Sequence, residues 1–152
     1  MGMAYESSSV CGSGRVALRY ALNCHQVVGR VPAVERIDIN QKIGQVQEPW
    51  CPGIVAEANG QHIKVARFLG AYPWHAHADA DEVFLVVEGA FIMEFRTHQV
   101  ALAEGQMIVV PRGVEHRPVA ATECCVLLFE PAGTVSTGDA QESALTSEGT
   151  WI

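Results

Sequence analysis

Two histidines one residue apart, His75 and His77, lie in the stretch G-A-Y-P-W-H-A-H-A-D-A-D-E-V-F-L-V-V-E-G, and Glu82 follows five residues after the second. On a β-strand, residues i and i+2 share a face, so both imidazoles would project together, with the carboxylate on the segment that follows. A further imidazole stands in G-Q-M-I-V-V-P-R-G-V-E-H, where Pro111 and Gly113 make a tight corner and His116 leaves it. If a barrel built of hairpins sets that strand beside the first, four donors converge: His75, His77, Glu82 and His116. Three imidazoles and one carboxylate form a mixed nitrogen and oxygen set suited to Fe, Mn, Ni, Co, Cu or Zn, with one or two positions left for water or a ligand oxygen. Such an ion could assist proton transfer by polarising a chelating carbonyl or enediol, which is isomerase chemistry. As a redox metal it could instead bind substrate and O₂ together, which is dioxygenase chemistry.

The elements that would place these residues are short strands. From Gly53 onward the chain alternates apolar runs with turn signals. Ile54 to Glu57 and His62 to Leu69 flank Asn59-Gly60, a strong hairpin dipeptide. His75 to His77 reads as a short strand and Glu82 to Val87 as one apolar on both faces. Ala90 to Arg96 and Gln99 to Leu102 form a hairpin. Met107 to Val110, Val114 to Val119 and Cys124 to Glu130 complete the set. About eight or nine short strands with regular turns predict an all-β sandwich or small barrel. Ahead of them, Asn40 to Val46 is expected as a short helix capped by Asn40. Residues 1–34, Ser/Gly-rich at the start, are read as a peripheral or poorly ordered extension, and 35–152 as one domain with its core at 50–131. The tail after Pro131 is expected to wrap the outside, docked by Trp151 and Ile152.

The two motifs resemble those of the cupin superfamily. Gly70, His75, His77, Glu82 and Gly89 fit the pattern G-x4-H-x-H-x4-E-x6-G, and Gly105, Pro111, Gly113 and His116 fit G-x5-P-x-G-x2-H. Within that superfamily the chain is similar to small single-domain members of the cupin-2 type, often labelled mannose-6-phosphate-isomerase-like. The resemblance implies a jelly-roll β-barrel (a double-stranded β-helix) with a divalent metal held inside by His75, His77, Glu82 and His116. It also implies a homodimer. A metal-dependent enzyme acting on a small polar molecule, either dioxygenase or sugar isomerase, stands beside two other readings: a non-catalytic ligand-binding module and a structural cupin with a vestigial site. Catalytic residues are not assigned, because Glu82 is consumed as a ligand and no dedicated general base stands out.

Bulk properties narrow the partners. The chain has 152 residues and a net charge of −7, with no basic stripe, which argues against nucleic acid. No apolar run is long enough for a spanning helix, so no membrane partner is expected. Five cysteines without C-x-x-C spacing are read as reduced thiols in a cytoplasmic protein. Other candidates receive plainer readings. Asp79 and Asp81 are loop residues. Arg67, Arg96, Arg112 and Arg117 are surface cations that could otherwise hold an anion. Trp74 lines the barrel mouth or packs outside it. His25, His62 and His98 lack metal-ligand context, and Cys124 and Cys125 are packing residues.

Overall fold

The computed structural model describes residues 34–140 and 145–152. The expectation for residues 1–33, and for Cys11, Cys24 and His25 within them, lies outside the described residues. The unit Glu35–Ile152 is considered by itself. It begins with helix α1 (Ile39–Ile43) and continues through β1 (Gly53–Ala58), β2 (Gln61–Ala71), β3 (Glu82–Glu88), β4 (Ala90–Phe95), β5 (Gln99–Ala103), β6 (Met107–Val110), β7 (His116–Pro131) and β8 (Thr150–Trp151). The order of hydrogen-bonded strands is β5-β4-β7-β2-β1-β8, with β3 between β6 and β7. This is the expected all-β jelly roll.

Strand β7 organises it. Its first residues, His116 to Val119, pair with β4, and its later ones, Cys125 to Phe129, pair with β3. Its other edge pairs with β2 from Val119 to Pro131. The sequence reads two strands here. The structure has one, because Ala120-Ala121-Thr122-Glu123 contains no glycine or proline to end the run. Irregular register at Phe68/Gly70 and Val86/Glu88 lets long strands bend so that one strand serves both layers. The β1–β2 hairpin forms as read, with Asn59 and Gly60 both at positive φ in a two-residue loop.

Two local expectations are corrected. The helix is capped by Asp38, not Asn40. Asp38 takes extended backbone angles and its Oδ1 accepts from the Gln41 amide, while Asn40 lies inside the helix. Glu82 to Val87 is apolar on both faces as read, with Phe84 and Val86 buried beside Glu82 and Val83, Leu85 and Val87 half-buried on the other face. His75 to His77 is no strand. It makes one isolated bridge, His75 to His116. A strand not anticipated, β8, adds parallel to β1 through Gly53–Thr150 and Ile54–Trp151.

The main core joins Phe68, Phe84, Phe91, Met93, Val126 and Leu128. Each of the larger side chains contributes about 1.5–3 kcal/mol by leaving water. A second cluster packs Ile43 and Val46, from α1 and the turn after it, on Val55, Val65 and Cys125. Cys51, Cys124 and Cys125 are free thiols. Among the described residues no helix is long and apolar enough to cross a membrane.

Candidate metal centre

His116 opens β7 and reaches back to His75 through paired backbone hydrogen bonds: His75 N–H donates to the His116 carbonyl at 3.1 Å, and His116 N–H to that of His75 at 2.9 Å. The Gly113 amide donates to the His77 carbonyl at 2.7 Å. The Arg112 amide donates to Asp81 Oδ1 at 2.9 Å. The corner before β7 is thus stitched to the histidine segment along its length. Glu82 starts β3 on its buried face.

All four side chains are buried, and one ligand atom from each lies within 4.8 Å of the others. Two ring orientations are fixed from behind. His75 Nδ1 donates to the Pro73 carbonyl at 3.0 Å, and His116 Nδ1 donates to the Val114 carbonyl at 2.9 Å. A carbonyl can only accept, so Nδ1 carries the hydrogen in both rings and each Nε2 keeps its lone pair for the interior. His77 Nε2 and His116 Nε2 each lie 3.1 Å from Glu82 Oε2. Among the described residues, none of these three buried atoms has a hydrogen-bond partner of acceptable geometry. Orphaned buried polar atoms are costly, and three aimed at one another fit a cation between them.

The electrostatics agree. Burial, reinforced by the neighbouring His116, lowers His75 to about 4, so it is neutral and ready to donate at ordinary pH. Burial pulls His77 the same way, but contact with the Glu82 carboxylate outweighs it and raises His77 above the usual histidine value. Burial would raise Glu82, yet His116 and His77 hold it well below the ordinary carboxylate range.

Sequence reading missed several groups around this centre. Asp139 grips the histidine segment: its Oδ1 accepts from the Ala76 amide at 2.8 Å, and its own amide donates to the Ala76 carbonyl at 3.0 Å. Beside it, Gly138 sits at φ 51°, and a Cβ there would meet the Ala76 carbonyl and come within 3.3 Å of the His77 ring. Gly138→Ala is expected to cost about 1–3 kcal/mol in chemical denaturation, from forced backbone and a displaced His77.

Lys64 and Glu130 form a second missed group, with exposures of 0% and 3% and an Nζ–Oε1 separation of 2.5 Å. Burial and the nearby Glu82 charge raise Glu130 above the ordinary carboxylate value, against the pull of Lys64. The available signal was parity: Lys64 alternates with the inward Ala66 and Phe68, and Glu130 with Val126 and Leu128.

A cavity with about 430 Å³ of empty space, part of it continuous with solvent, reaches the centre. Trp50, Phe68, Phe84 and Leu128 supply apolar wall, and His75, Glu82 and Glu130 supply polar wall. Trp50 is held at φ 65°, a strained value for tryptophan. Its indole donates to the Leu69 carbonyl at 2.9 Å and stacks on Phe68 at 4.5 Å, which fixes it.

Among the described residues, no arginine lines this cavity. Arg96 pairs with Glu115, Arg112 with Asp81, Arg117 with Glu94 and Arg67 with Glu123. Trp74 lies under the Arg96 and Arg117 guanidinium groups, at 3.9 and 4.9 Å from its ring centroid.

With this geometry in view, likeness to known proteins is informative. Residues 70–130 match the Cupin domain family model (Cupin_2). A cupin-2 domain containing protein from Shewanella frigidimarina NCIMB 400 is 41% identical, with a TM-score of 0.61 over 62% of this chain and 93% of that one. A Neisseria meningitidis protein of known structure is 34% identical, with a TM-score of 0.59 over 64% of this chain and 99% of its own. The Bacillus subtilis protein YdbB is 34% identical over 74 residues, or 48% of this chain. The chain spans 66% of YdbB, just under two thirds of its length. Two motifs, the jelly-roll topology and these likenesses agree, and the chain belongs to the cupin superfamily.

Proposed function

We propose that this chain binds one divalent metal ion through His75, His77, Glu82 and His116 and uses it to hold and activate a small polar molecule in the adjoining cavity. The observation that carries the reading is the convergence of four buried donors, of which His77 Nε2, His116 Nε2 and Glu82 Oε2 lack a geometrically sound hydrogen-bond partner among the described residues. When bound, a divalent ion supplies Lewis acidity toward an oxygen of the small molecule. The chain's own residues supply the rest. Pro73 and Val114 orient the His75 and His116 rings, and Trp50, Phe68 and Phe84 give the site an apolar wall.

Metal uptake against pH tests the reading. A ligand must shed its proton before it can coordinate. His77, raised above the usual value by Glu82, holds its proton to higher pH than an ordinary imidazole. His75 stays neutral down to about 4 and adds no competition above that. Affinity measured by competition with a chromophoric chelator is therefore expected to rise with pH, about tenfold per unit below the His77 pKa, and to level off above it. Uptake of one ion per chain at neutral pH is expected by elemental analysis. Absence of uptake, or a flat profile from pH 5 to 8, would defeat the proposal.

A further inference from the structure

Glu130 is not among the four donors, yet it is the buried carboxylate facing the same cavity. Paired residues Val83–Phe129 and Phe84–Leu128 set the register of β3 on β7. One step further along that register, Glu130 comes opposite Glu82, and both line the cavity wall. Its two oxygens have different circumstances. Oε1 accepts from Lys64 Nζ, which is itself buried and also donates to the Thr134 carbonyl at 3.4 Å. Oε2 is buried and has no hydrogen-bond partner among the described residues. A carboxylate oxygen accepts, so the group that Oε2 lacks is an N–H or O–H donor. Leaving such an atom unmatched in a site lined by Phe84 and Leu128 is costly, which makes it strongly selective toward whatever enters.

We infer that Glu130, steered by Lys64, is the specificity-determining residue of the cavity: its Oε2 accepts a hydrogen bond from an N–H or O–H group carried next to the metal-binding atoms of the ligand. The favoured ligands are small polar molecules that bind a cation through oxygen and present a hydrogen-bond donor on the adjacent atom. Methylated or otherwise donorless analogues are rejected. This rests on the metal-binding reading above and adds the ligand class to it.

A matched pair of chelators separates the two ideas. Acetohydroxamate and N-methylacetohydroxamate both bind metal through the same two oxygens, and only the first keeps an N–H beside them. Each is titrated into protein loaded with Co(II), and binding is followed by the visible spectrum of the ion. Cobalt content is measured before any hydroxamate is added, so failure of the metal reading shows itself there, and this inference falls with it. Given one Co(II) per chain, wild-type protein is expected to prefer acetohydroxamate by about tenfold, the range of one charge-assisted hydrogen bond.

Glu130→Gln is expected to keep its Co(II) and reduce that preference below about twofold. Lys64, a donor only, holds the amide oxygen, which turns the NH₂ toward the ligand where Oε2 had been. Should Glu130→Gln prove too unstable to load, the double variant Lys64→Met with Glu130→Leu removes both buried charges together and serves the same comparison. A preference equal in wild type and variant means that the N-methyl group is excluded by shape, and the inference is wrong. So does the absence of any preference in wild type.

Discussion

Replacing His116 with alanine is expected to weaken divalent-ion binding by at least about 100-fold, the upper range seen when only an outer partner of a ligand is lost. His116 is the most buried of the four donors, at 1% exposure. Its Nε2 faces Glu82 Oε2, and its ring packs against His75 with centroids 4.4 Å apart. The truncation removes a coordination bond and leaves Glu82 with one imidazole partner in place of two. The folded structure should survive, because the backbone pairing of residues 75 and 116 does not use the side chain. Equilibrium dialysis against a buffered free-ion series, with circular dichroism to confirm the fold, reads the effect. Binding within a factor of three of wild type would remove His116 from the centre.

Lys64→Met should be the most destabilising single change outside that centre. It takes the cation from a carboxylate that is itself buried and keeps close company with Glu82. Removing one member of a buried pair costs about 3–5 kcal/mol, because the other is left uncompensated. The double variant Lys64→Met with Glu130→Leu should recover most of that loss, since an apolar pair of similar volume suits walls formed by Trp50, Phe68 and Leu128. Urea unfolding of the metal-free single and double variants forms the thermodynamic cycle. A single variant as stable as wild type would show that the pair is hydrated and does not act as a buried ion pair.

What the sequence revealed of this molecule tracks how local each feature is. His75, His77, Glu82 and His116 were legible because fixed spacing and flanking glycines mark them. Gly89, for example, takes φ 83°, and a Cβ there would lie 2.9 Å from the Glu123 carbonyl. The Asn59-Gly60 hairpin was legible because its two-residue loop demands positive φ at both positions. The Lys64–Glu130 pair was not, because its members are far apart in sequence and meet only through the β2–β7 pairing. Each ends up inward by strand parity alone, which a single charged residue in an apolar run does not announce. Asp139 escaped for the same reason: its role depends on the segment after β7 folding back onto Ala76. The arginines carried the opposite lesson. They were read as surface cations with anion binding as the lesser alternative, and carboxylates across the strands engage them.

The threefold sharing of β7 has a consequence for how the protein is made. His116 begins that strand and Glu130 lies near its end, and β2, β3 and β4 all need it as a hydrogen-bond partner. A nascent chain that has emerged only as far as β6 holds His75, His77 and Glu82 but lacks the strand that locks them in place. Pairings this distant in sequence form slowly, after the entropy of closing long loops has been overcome. On the proposed metal-binding reading, the four-donor set is complete only in a chain synthesised through β7, so an ion would be held there only after that strand has paired.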